Sequence, residues 1–172
     1  MTFPHKYYSK QDLVQLTVFV AFPIHAWSIV NMLRAVPSLI LSMSASEIIG
    51  SWAYNMTFTL LETIIILLFV LTIGIALSVR MSTATFVTLS SFLLTEIALM
   101  RLLFEALTDV FPLMGFLIVA CGIILILTVM LVPKDPKWKD ITHAVATRFA
   151  VLTYIYIFID VVGVIIVIVR LA

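Results

Sequence analysis

Charge is scarce in this sequence. Of its 172 residues, 11% are Asp, Glu, Lys or Arg, whereas soluble domains carry about 25%. With a hydrophobic content of 63% and a mean hydropathy of +1.24, that deficit excludes a soluble fold. A chain this short cannot enclose so much apolar surface. A net charge of +1 leaves no basic patch to meet phosphates, so nucleic acid is excluded as a partner. Cysteine occurs once, at Cys121 inside "GFLIVACGIILIL", which excludes an internal disulfide and suits a small packed hydrophobe. Signature motifs are missing as well: no H-E-x-x-H, C-x-x-C, G-x-S-x-G, Walker or Rossmann pattern occurs. No catalytic residue is therefore assigned, and no cofactor or metal is expected. Haem ligation by His25 and His143 is disfavoured because their depths differ by most of a bilayer.

What is present is a series of apolar stretches longer than the ~18 residues that mark a membrane helix. Five spans are expected, at about 11–33, 51–79, 83–107, 111–132 and 141–170, forming a single integral membrane domain over 1–172. The first contains Pro23, which should kink it. No A-x-A-like cleavage site follows the polar start of the chain, so the first span is read as uncleaved. Between the first two spans, Ser38, Ser42 and Ser46 recur at i+4 opposite Leu39, Ile40 and Met43. That pattern predicts a short interfacial amphipathic helix at about 36–46, begun by Pro37. Ser44 and Glu47 have capping-box spacing for the next helix. The fourth span carries no charge and should face lipid on most sides. The fifth is β-branched, but its runs do not alternate as a barrel strand must, so helix is expected there too. The fold class is thus all-α: a polytopic membrane helix bundle of five transmembrane helices plus the interfacial segment. No internal repeat is visible, so the inverted-repeat design of many transporters is not apparent.

With five spans, Lys6, Lys10, Arg80, Lys134, Lys137 and Lys139 fall on the N-terminal side, against Arg34 and Arg170 opposite. The bias places the N-terminus in the cytoplasm and the C-terminus outside. Trp27, Trp52 and Tyr54 then lie near the outer boundary and Trp138 near the inner one, as an aromatic belt requires.

Five ionisable residues lie deep in these spans. Counting ~1.5 Å per residue from the cytoplasmic end puts His25 and Glu96 at ~20 Å, Glu62 at ~24 Å, Asp160 at ~25 Å and Arg101 at ~27 Å. They come from four helices yet share one height. A charge at mid-bilayer costs ~2.5–3.5 kcal/mol on insertion scales, so they are expected to gather in the bundle interior. Three acids cannot all pair with one arginine, so at least one should be protonated, and Asp160 is expected to face inward near Arg101. Helical spacing supports inward stripes. Ser51, Asn55, Thr59 and Glu62 share a face of the second helix; Thr153, Tyr156 and Asp160 share one of the fifth. Arg101 and Glu105 are i+4 partners, whereas Glu96 points about 140° away from Arg101.

The stretch "FPIHAWSIVNMLRAVPSLIL…SEIIGSWAYNMTFTLLE", residues 22–62, resembles a family of small bacterial membrane proteins of uncharacterised function. The resemblance covers about a quarter of the chain and implies a bacterial plasma-membrane protein, with no activity or ligand. It draws interest to His25, Arg34, Pro37 and Glu62. Three functional classes follow. The first is a non-enzymatic subunit or assembly factor, whose partners are the bilayer and other membrane subunits or further copies of itself. The second is a homo-oligomeric proton or cation transporter using the buried acids. The third is a lipid-modifying membrane enzyme with Arg34 at the head group.

Overall fold

A computed structural model describes residues 8–77, 80–106 and 111–172. Lys6, used above for orientation, lies outside the described residues. Among them are five long α-helices: α1 (Lys10–Ser42), α2 (Ala45–Leu77), α3 (Thr83–Ala106), α4 (Phe111–Leu131) and α5 (Lys137–Leu171). A 3-10 turn, Val132–Lys134, links α4 to α5. All five helices are long and apolar enough to cross a membrane. The reason is backbone satisfaction: in hydrocarbon, each N–H and C=O must find a partner within its own helix. That requirement overrides the β propensity of "YIYIFIDVVGVIIVIV", which lies wholly in α5. At 33, 33 and 35 residues, α1, α2 and α5 reach ~50 Å, so across a ~30 Å core they must tilt or project beyond it.

The interfacial helix expected at 36–46 does not form as a separate element. Residues 36–42 are the last turns of α1, which continues through both Pro23 and Pro37. The serines explain the difference. The Ser38 hydroxyl donates to the Ala35 carbonyl at 2.8 Å, and that of Ser42 donates to the Ser38 carbonyl at 2.9 Å. Both serines are exposed and bond back within one helix, so their spacing is met by the end of α1 without a separate element. The chain breaks at Met43, whose backbone is extended, and restarts where the Ser44 N–H meets the Glu47 carboxylate at 2.7 Å. The beginning of α1 is fixed by a full capping box, Ser9 with Asp12, a pattern the sequence displays as S-x-x-D.

α1 is the most enclosed helix, packed against α2, α3 and α5, while α4 rests mainly on α3 and the 3-10 turn. The α2–α5 contact is the most extensive and is made possible by Gly163. A Cβ added there would lie 3.1 Å from the Ala53 carbonyl oxygen and 3.2 Å from the Met56 Cβ. α2 and α3 both pack on α1 but touch each other little, chiefly where Val70 meets Phe86 and Val87 beside Leu16. Gly74 sits at that end, beneath the Tyr8 hydroxyl and the Phe86 ring. Away from it the two helices leave a cleft between them. A buried tie links α1 to α3: the Gln15 amide donates to the Ser91 hydroxyl at 3.2 Å.

Candidate functional site

Near the middle of α1, His25 is 2% exposed and meets Asp160 of α5, 1% exposed, with Nε2 and Oδ2 2.9 Å apart. The other ring nitrogen, Nδ1, lies 2.8 Å from the Ala21 carbonyl one turn earlier in α1. A carbonyl only accepts, so Nδ1 carries a hydrogen and donates. One further proton then occupies the Nε2–Oδ2 bond. Whether it sits on the imidazole or the carboxyl, the pair is neutral overall, the cheapest way to bury both groups in a low-dielectric interior. Tyr156, one turn before Asp160, covers the imidazole face with ring centroids 4.8 Å apart and planes at 10°. Thr153 is buried on the same face of α5, its hydroxyl 3.5 Å from the Phe149 carbonyl. Oδ1 of Asp160 is enclosed and has no hydrogen-bond partner among the described residues.

The five deep ionisable residues separate into three places. His25 and Asp160 form the central pair. Glu96 of α3 turns to α4, where the lone hydroxyl of that helix, Thr128, donates to its Oε1. Its Oε2 is enclosed without a partner among the described residues. Glu62 and Arg101 line the cleft, which encloses about 690 Å³. Arg101 therefore lies away from Asp160. Its guanidinium stands over the Trp27 ring at 5.3 Å, within cation–π range, and Arg34 approaches the same ring at 5.9 Å. Glu105 pairs with Arg34 at 3.1 Å, so an ion pair bridges α1 and α3.

On the polar stripe of α2, Asn55 and Thr59 converge on Ser28 of α1. The Asn55 amide donates to the Ser28 oxygen at 2.6 Å, and the Thr59 hydroxyl donates to it at 2.8 Å. Ser51 is half-buried further along the same face. Sequence reasoning left out Gln15, Ser91 and Thr128. Thr128 was legible as the one hydroxyl in the otherwise apolar α4 sequence, and Gln15 as an amide inside an apolar helical run. Among the described residues no group of three or more His, Cys, Asp or Glu side chains gathers to hold a metal.

Five apolar helices tied by buried polar pairs define a multi-span integral membrane protein. No family model matches the chain, nor does any curated protein or solved structure. The likeness over residues 22–62 thus rests on those residues alone.

Proposed function

We propose that this chain is a non-enzymatic component of a larger membrane assembly, a small subunit or assembly factor. One observation carries the reading: the most deeply buried acid, Asp160, is engaged in joining α5 to α1 through His25 and is covered by Tyr156. Glu96 goes to Thr128 of α4 and Glu62 stands in the cleft, so the acids are dispersed rather than aligned along one path. A bacterial plasma membrane and a cytoplasmic N-terminus belong to the same reading. The resemblance over residues 22–62 and the Lys/Arg asymmetry of the loops support them.

Native mass spectrometry of the protein released from its own membrane in mild detergent tests the proposal. Other polypeptides should appear in the wild-type mass and persist for Asp160→Asn, whose amide can donate to a neutral His25 Nε2. Asp160→Leu, which leaves that nitrogen unpaired, should release them. Masses containing this chain alone would count against a subunit role.

A second reading, proton translocation by a homo-oligomer, is favoured by the unpartnered Oδ1 of Asp160, a site where a proton could enter or leave. Both readings retain the fold in Asp160→Asn, and they part at transport. This one predicts proton flux into liposomes by the wild type that Asp160→Asn abolishes, where the subunit reading predicts no flux by either chain.

A further inference from the structure

The cleft between α2 and α3 has walls of opposite charge. Glu62 stands on the α2 wall and Arg101 on the α3 wall, and both side chains are exposed. Ion pairs among the described residues are His25–Asp160 and Arg34–Glu105, so these two charges face one space without neutralising each other. They also share a level. Arg101 lies over Trp27, next to Ser28 in the chain; Thr59 bonds Ser28, and Glu62 follows Thr59 by less than one helical turn, ~4.5 Å along the axis.

Around this bipolar pair the cleft is apolar, with Phe19, Phe22, Leu94 and Leu102 in its lining. At its mouth, Phe58 and Ile97 are 67% and 58% exposed, so the opening faces the hydrocarbon that surrounds the bundle. A volume of about 690 Å³ lies within the ~300–1,000 Å³ range of ligand sites. The occupant must therefore enter from the bilayer, present an anion to a guanidinium and present a cation to a carboxylate.

We propose that the cleft binds a zwitterionic phospholipid with a primary amine head group, of the phosphatidylethanolamine class. The phosphate meets Arg101, whose planar guanidinium suits it, and the ammonium donates to Glu62. The upper acyl chains lie along the phenylalanine walls. An anionic head group without an amine leaves Glu62 opposed to a negative charge. A choline head group has no N–H to donate, and Arg34 and Arg101 already approach the aromatic ring that could otherwise receive it. The inference concerns a different region from the His25–Asp160 pair. Its failure would leave the subunit reading untouched.

The test is native mass spectrometry of the purified full chain in detergent, titrated with phosphatidylethanolamine, phosphatidylcholine and phosphatidylglycerol of identical acyl chains. The wild-type chain should retain phosphatidylethanolamine about tenfold better than either of the others. Arg101→Gln should lower that retention about tenfold, and Glu62→Gln should abolish the preference over phosphatidylglycerol. Equal retention of the three lipids by the wild type would overturn the proposal, and that measurement depends on no variant folding. Preferential phosphatidylglycerol binding, or selectivity unchanged in both variants, would overturn it as well.

Discussion

His25 and Asp160 lie 135 positions apart in the chain and meet at 2.9 Å in the bundle interior, holding one proton between them. The Ala21 carbonyl decides this, because it obliges Nδ1 to donate and leaves Nε2 to share the remaining proton with the carboxyl. Because the pair is neutral overall, an uncharged donor at residue 160 facing a neutral imidazole can replace it without burying a net charge. Asp160→Asn should therefore cost under about 1 kcal/mol, whereas Asp160→Ala should cost about 2–4 kcal/mol through an unpaired imidazole nitrogen and a cavity. Reversible unfolding in mixed micelles, followed by tryptophan fluorescence, would measure both. Equal losses would show that the pair holds separated charges.

Gly163 sets how closely α5 approaches α2. With the Ala53 oxygen 3.1 Å and the Met56 Cβ 3.2 Å from an added Cβ, Gly163→Ile has no room to grow without separating the helices. The expected loss is about 1–3 kcal/mol, as for overpacked interiors generally. Gly163→Ala asks the neighbours to give only slightly and should cost less. A thermal series of the two variants by size-exclusion fluorescence checks the order. An unchanged midpoint for Gly163→Ile would mean that the contact yields freely.

Tyr8 supplies a pH dependence where α2 and α3 close on each other, away from the cleft. Its hydroxyl lies over Gly74 and reaches toward the Leu71 carbonyl at 3.5 Å. Burial pushes the phenol above its ordinary value of 10.0, and the Asp12 carboxylate adds to the shift. A raised folded value means that the stabilisation is complete below the unfolded phenol's titration and is lost as pH rises through the shifted one. Wild type should thus lose stability above about pH 10, while Tyr8→Phe should keep a flatter alkaline profile. Parallel profiles for the two chains would remove Tyr8 from the account.

The helices could be read from composition and run length because the bilayer imposes one rule on every apolar segment, that of internal hydrogen bonding. That rule gives the same answer for α4, with no charge, and for α5, rich in β-branched residues. The serine repeat near the end of α1 was ambiguous for a local reason. A hydroxyl at i+4 spacing can face water or bond back to its own helix, and periodicity is the same in both cases.

Residue by residue, the sequence alone determined which polar groups lie inside the apolar helical runs and which of them share a helix face. Tertiary structure decided whom each one meets. Periodicity describes a helix only relative to its own axis, and the rotation of one helix against another depends on where their backbones can approach. Gly163 against Ala53 places α5 so that Asp160, one turn away, reaches His25, while Arg101 is carried to Trp27 at the cleft. Three acids at one height could have shared one arginine by charge alone. Packing sent them to a histidine, a threonine and an open cleft.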